Sequence, residues 1–163
     1  MDMRIRPYEP DDRNELERLV ATLQEHVASL DPQGIYRPKA TFDVARYADF
    51  FLAKVREREG TVLVAEKNGV ILGYVAGTVV PETPEYLLDH QPGKEGYVNE
   101  LIVDTAHRGK RVGSRLMSAM EGALRAKGCA FVRVGCFVPN RSAHDFYRRC
   151  GYTDRHIELL KRL

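Results

Sequence analysis

Two β-branched runs, residues 61–66 and 70–80, flank the dipeptide Asn68-Gly69, and this is the feature that most restricts how the chain can fold. Asn-Gly accepts positive φ at both positions, as the tight turn between twisted antiparallel strands requires. A β-hairpin is therefore predicted in the middle of the chain. Upstream, residues 4–8 alternate weakly and suit a short first strand. Pro10 with Asp11-Asp12 marks a helix start, where acidic side chains favour the positive end of the dipole. Leu16, Leu19, Val20, Leu23 and Val27 then recur at helical spacing to about residue 30. Asp31-Pro32-Gln33-Gly34 stops that helix, and Pro38 keeps the next segment open. A second helix is predicted over 41–58, with Phe42, Ala45, Phe50 or Phe51, and Val55 inward.

Beyond the hairpin a polar, proline-containing loop covers 81–96, and 97–103 reads as a buried strand. The spacing predicts a helix over 112–127 with Val112, Leu116, Met120, Ala123 and Leu124 on one face, closed by Gly128. A strand over 131–137, a short helix over 140–150 after Pro139, and a last strand from 152 to about 160 complete the pattern. A chain of 163 residues with no repeat, low-complexity tract or linker suits one α/β-mixed domain over 1–163.

Charge and cysteine usage exclude several classes. Lys and Arg number 25 against 23 acidic residues, a net +2 that argues for neither nucleic acid nor membrane as partner. The N-terminal dozen residues lack the apolar core of a signal peptide, and no window is long enough to span a bilayer. Cys129, Cys136 and Cys150 are odd in number and lack metal-ligand spacing, which predicts free thiols and a cytoplasmic setting. His26, His90, His144 and His156 share no spacing, so no metal is assigned.

The basic residues are unevenly placed: His107, Arg108, Lys110, Arg111 and Arg115 fall close together. They lie where the strand 97–103 feeds a glycine-containing turn that opens a helix. Such a turn aims unpaired N–H groups and the positive helix end at one point, and Gly109 and Gly113 let the backbone approach an anion. The nearby cations raise the local potential, so a diphosphate suits the geometry. The phosphate loop of nucleotide hydrolases does not fit, because Arg111 rather than Ser or Thr follows Lys110; nor is the dinucleotide fingerprint present.

Arg108-Gly109-Lys110-Arg111-Val112-Gly113 resembles the pyrophosphate motif of the GNAT superfamily of N-acetyltransferases, Gln/Arg-x-x-Gly-x-Gly/Ala, with Arg111 in place of the inner glycine. The run from Asn140 through Ala143, Phe146, Tyr147 and Gly151 to Tyr152 is similar to the closing segment of that family, Asn-x-x-Ala-x-x-Phe-Tyr-x-x-x-Gly-Phe/Tyr. The resemblance covers essentially the whole chain. It implies an α+β fold: a central mixed, mostly antiparallel sheet flanked by helices, with the strands 97–103 and 131–137 splayed to admit the pantetheine arm of acetyl-CoA. It further implies that Arg108, Gly109, Lys110, Arg111, Val112, Gly113 and Ser114 bind the co-substrate, that the backbone of Leu101, Ile102 and Val103 lines its path, and that Asn140 caps the last helix and touches pantetheine.

The chemistry needs a base, since an ammonium of pKa about 10.4 must lose a proton before attack, and an acid for the departing thiolate. Glu100 is the candidate base; the competing reading is a carboxylate facing solvent or pairing with arginine. Asn99 points to the opposite face of the strand unless a bulge intervenes. By resemblance Tyr147 is the acid; the competing reading is a buried tyrosine bonded to backbone. The acceptor is expected to be the amine of a small molecule or of a protein, met near the 31–39 connection with Tyr36 and Arg37, and the acidic residues of the 81–96 loop would draw a cation or simply be solvated. A catalytically silent acyl-CoA sensor is the alternative, although intact Glu100 and Tyr147 favour an enzyme. Dimerisation is common in such folds, and no feature of the sequence decides it.

Overall fold

In the computed structural model, which describes residues 2–163, the hairpin stands where Asn68-Gly69 places it. Strands β2 (Thr61–Lys67) and β3 (Val70–Val80) pair antiparallel around Asn68 at φ 53° and Gly69 at φ 78°. Strand β1 (Arg4–Pro7) joins β2 antiparallel and β4 (Lys94–Val103) joins β3 antiparallel. Strand β5 (Cys129–Val134) runs parallel to β4, giving the order β1-β2-β3-β4-β5. A parallel neighbour requires a crossover, and helix α3 (Val112–Ala126) supplies it on one face. Helices α1 (Arg13–Leu30) and α2 (Val44–Glu57) cover the other face, and α4 (Arg141–Arg149) follows β5. The expected mixed, mostly antiparallel sheet flanked by helices is thus present.

Period-two alternation sorts the sheet into two cores. Leu63, Ala65, Val75, Val79 and Val98 pack on Val112, Leu116, Met117, Met120 and Leu124 of α3. Val62, Val64, Tyr74, Ala76 and Ile102 pack on Leu16, Leu19 and Val20 of α1 and on Phe51 and Val55 of α2. Each fully buried aliphatic side chain is worth about 1.5–3 kcal/mol. Gly77 admits Met120: a Cβ there would lie 2.7 Å from the methionine sulfur.

Several boundaries differ from the sequence expectation. Helix α1 is preceded by a 3-10 turn, Pro10–Asp12, where Asp12 is held by two 2.7 Å bonds from Arg6. Helix α2 begins at Val44 rather than 41, because Asp43 caps it by accepting the Arg46 N–H at 3.0 Å. Phe51 is the inward phenylalanine and Phe50 is 64% exposed; Ala45 is exposed, and Ala48 holds the inward position one turn before Phe51. Strand β4 starts at Lys94, three residues early, because that stretch has ladder partners on both β3 and β5. Strand β5 spans 129–134 rather than 131–137, since its pairing with β4 ends at Val98 opposite Val134.

The last expected strand, 152–160, does not form. Asp154 is drawn to His144 at 2.6 Å and Arg148 at 2.9 Å, and Arg162 donates to the Gln33 carbonyl at 2.6 Å. The segment has no ladder partner in the sheet, and a β-prone sequence without one has nothing to hold it extended. Ile157, Leu159 and Leu160 are exposed.

Candidate active site

Strand β4 carries one residue more than the stretch of β3 opposite it. Ala76 lies opposite Glu100 and Gly77 opposite Val98, so Asn99 is a β-bulge. An extra residue reverses the facing of everything beyond it. Val98 packs towards α3, while Glu100, two residues later, turns to the α1–α2 face. There its Oε1 accepts the hydroxyl of Tyr47 from α2 and its Oε2 accepts that of Tyr74 from β3 at 2.5 Å. Neither tyrosine was singled out from the sequence; the one hint was Tyr74, a phenol in an otherwise aliphatic buried strand. Among the described residues Glu100 forms no ion pair, so its partners are phenols rather than an arginine.

Burial raises the Glu100 pKa above the ordinary carboxylate value; the two tyrosine hydroxyls, and Lys54 more weakly, oppose that rise. Burial and the adjacent carboxylate both push Tyr47 and Tyr74 upward, which keeps them protonated as donors. The result is a desolvated carboxylate with a raised proton affinity, fixed in direction by two neutral donors.

Beyond the bulge β4 loses its partner on the β5 side, and the two strands part. The Asp104 N–H donates to the Leu72 carbonyl at 2.9 Å, so by antiparallel alternation residues 104, 102 and 100 turn their backbone towards β3. Leu101 and Val103 turn theirs into the gap. The Val103 carbonyl accepts Arg108 Nε at 3.2 Å, consistent with that facing. Ile102 has its side chain in the α1–α2 core and its backbone towards β3, so of the three residues it is the one set apart from the gap.

The gap leads to the basic turn. A 3-10 turn, Thr105–His107, is capped by Asp104 accepting the Ala106 N–H at 3.0 Å. Gly109 then takes φ 74° and Arg111 φ 60°, and α3 begins at Val112 with Arg111 as its N-cap. The inner-glycine position is thus left-handed, and arginine occupies it at a cost of about 1–2 kcal/mol. The first N–H groups of α3, those of Val112, Gly113 and Ser114, have no intrahelical partner by helix geometry. Among the described residues the N–H groups of Gly109, Lys110 and Arg111 also have no acceptor. Arg108, Lys110, Arg111 and Ser114 are exposed around them, with Lys110 Nζ bonded to the Ala106 carbonyl at 3.0 Å and Ser114 Oγ to the Arg111 carbonyl at 3.0 Å. Val112 is buried and anchors the turn. A Cβ on Gly113 would lie 3.3 Å from Phe146, so this glycine brings α3 close to α4.

On α4, Asn140 caps the helix by accepting the Ala143 N–H at 3.2 Å, and Ser142 Oγ donates to the same oxygen at 3.1 Å. Tyr147 packs edge-on against Phe146 and Tyr152, with ring centroids 5.3 and 6.0 Å away. Burial first, then Cys136, Cys150 and Tyr97, pushes its phenol up to about 12. Among the described residues its hydroxyl has no hydrogen-bond partner, so the reading of a tyrosine bonded to backbone is not realised.

Around the gap, Tyr36 of the α1–α2 connection meets Phe137 beyond β5 edge-on, with centroids 5.4 Å apart. Arg133 lies over the Tyr97 ring at 5.7 Å. The acids of the 81–96 segment are largely engaged: Glu95 is buried against Arg133 and Arg155, and Glu82 accepts the Gly93 N–H at 2.7 Å. No helix is long and apolar enough to cross a membrane among the described residues.

The sequence matches the model of the Acetyltransferase (GNAT) family over residues 21–152. It is 26% identical over 143 residues to the aminoalkylphosphonate N-acetyltransferase of Salmonella typhimurium, covering 85% of this chain and 89% of that protein. It is 30% identical over 98 residues to glucosamine 6-phosphate N-acetyltransferase 1 of Oryza sativa subsp. japonica, covering 60% and 56% of the two chains. Among solved structures, the tetramutant of the BH1408 protein from Bacillus halodurans superposes with a TM-score of 0.81 at 24% identity, covering 98% of this chain and 99% of that one.

Proposed function

Since this chain belongs to the acetyltransferase (GNAT) family and is an acetyl-CoA-dependent N-acetyltransferase, we propose that residues 1–163 form one catalytic domain in which Glu100 is the base and Tyr147 the donor to the leaving sulfur. The observation that carries this reading is the clamped carboxylate at the point where β4 and β5 part. Met1, the first residue of that domain, lies outside the described residues.

The turn of Arg108 to Ser114 holds the pyrophosphate by its free N–H groups and surrounding cations. The backbone of Leu101 and Val103 lines the pantetheine path, with Asn140 at its far side. An ammonium of pKa about 10.4 gives a proton to Glu100, directly or through water, and burial of that carboxyl narrows the gap the proton must climb. The amine attacks the thioester carbonyl, whose growing negative charge is met by fixed backbone donors of the gap. With its phenol at about 12 and a thiol near about 8.5, Tyr147 gains nothing by full proton transfer. It works by donating a hydrogen bond as the C–S bond breaks and charge collects on sulfur, and the proton left on the new amide nitrogen passes to the departing thiolate.

The acceptor is the primary amine of a small molecule or a peptide. Both relatives with named substrates act on amines that also carry a phosphonate or a phosphate ester, and such compounds head the panel to be tried. A cytoplasmic setting and a homodimer are compatible with this reading.

Thiol release from acetyl-CoA against that panel, with acetyl-CoA binding followed by calorimetry, tests it. Turnover with one amine class is expected, and Tyr147→Phe should lower kcat about ten- to a hundredfold while leaving acetyl-CoA affinity in place. Tight binding without turnover on any amine would instead support a silent acyl-CoA sensor. An unchanged kcat in Tyr147→Phe would remove that residue from the chemistry.

A further inference from the structure

The residue before Glu100 on β4 carries a polar atom that the reading above leaves unused. Asn99 is the extra residue of the β4 bulge, inserted between Val98 and Glu100. It stands one residue past the last rung of the β4–β5 ladder, Val98 opposite Val134, and so at the apex of the gap. Its Oδ1 is buried and has no hydrogen-bond partner among the described residues. A buried carbonyl oxygen that has lost water and found no donor is held at a cost, and such an atom at a functional site is matched by a donor that arrives with a ligand.

The direction of the gap identifies that donor. Leu101 and Val103 face it between the apex and the phosphate turn, so they meet the pantetheine arm. Asn99 lies on the far side of Glu100 from that turn, where the acyl end finishes and the nucleophile enters. We propose that Asn99 Oδ1 accepts an N–H hydrogen bond from the acceptor amine and holds its nitrogen beside Glu100. This assignment rests on the reading of Glu100 as base.

The chemistry suits a carboxamide. It accepts a hydrogen bond from an ammonium or a neutral amine alike, yet takes no proton at these pH values, which leaves proton transfer to Glu100. A primary amine retains further N–H groups after giving one proton away, and one of them remains on Asn99 through attack. An alcohol has a single O–H, which cannot serve both Glu100 and Asn99. The pair therefore selects nitrogen over oxygen nucleophiles.

Steady-state kinetics of Asn99→Ala and Asn99→Asp on the amine turned over by the wild type tests this, together with acetyl-CoA calorimetry and thermal melting. Asn99→Ala should raise the amine KM roughly tenfold or more, with acetyl-CoA Kd unchanged and a melting temperature no lower than wild type, because an unpartnered buried oxygen is removed. Asn99→Asp keeps an acceptor oxygen and should recover part of the amine affinity. A weakened acetyl-CoA Kd would assign the contact to pantetheine and overturn the proposal. A lower melting temperature with unchanged KM would make Asn99 a structural residue. A wild type that turns over no amine would sink the Glu100 reading itself; an active wild type with unaltered amine KM in Asn99→Ala would sink the Asn99 assignment alone.

Discussion

Replacing Tyr74 by Phe isolates what the phenol clamp does for Glu100. The ring is fully buried and belongs to the α1–α2 core, so the substitution deletes one hydroxyl and leaves the packing in place. The lost bond, 2.5 Å to Oε2, runs to a group whose charged form it favours. A hydrogen bond to a charged partner contributes about 1.5–3 kcal/mol. At about 1.36 kcal/mol per pKa unit, its loss raises the Glu100 pKa by about one to two units. The opposing influences that remain are the Tyr47 hydroxyl and the Lys54 charge, both from α2. In the proposed role of base Glu100 acts as the carboxylate, so the acid limb of kcat/KM for the amine should move up in pH by that amount, with the plateau largely kept. The profile is measured with acetyl-CoA saturating, beside Glu100→Gln as the variant without a titrating base. An acid limb that stays put, or moves down, would refute the reasoning that Tyr74 supports the charged form of an essential Glu100.

Two further outcomes follow from the same geometry. Arg111→Gly places the residue preferred by left-handed backbone at φ 60°, so the melting temperature should hold or rise. The loss of a cation should weaken acetyl-CoA binding several-fold at low salt, with the difference shrinking at high salt; equal affinity at low salt would exclude Arg111 from the phosphate field. Glu100→Gln addresses stability. A carboxyl whose folded pKa is raised by burial contributes stability that is full below the ordinary carboxylate value and is lost as pH rises through the folded one. Melting temperature against pH should therefore fall less steeply across that window in the variant, and parallel curves for the two proteins would remove Glu100 as the source.

The elements that were legible in the sequence are those decided by neighbours along the chain. The Asn68-Gly69 hairpin, the helical face of Leu116, Met120 and Leu124, the Gly109 turn and the Asn140 cap all depend on contacts within a few residues. Turn chemistry and periodicity carry such information completely. The two family motifs belong to the same class, and they sufficed for the family and the fold. Where local signals competed with distant ones, the sequence misled. The stretch 152–160 reads as a strand, yet it finds no ladder partner, and its Asp154 and Arg162 are engaged by His144, Arg148 and the Gln33 carbonyl. Ala45 fits a helical face, but the tertiary seat belongs to Ala48.

By itself, then, the sequence determined that this chain folds as a mixed sheet with helices, opens its third helix with a glycine-containing basic turn, and sets Glu100 on the strand before that turn and Tyr147 in the closing motif. Only the tertiary structure decided which way Glu100 faces, since that depends on a bulge defined by the register between β3 and β4. It alone brought Tyr47 from α2 and Tyr74 from β3 onto one carboxylate, residues 53 and 26 positions away in the chain. The physical reason is that periodicity states which residues share a face of one element, whereas a proton affinity is set by burial and donors that arrive from others.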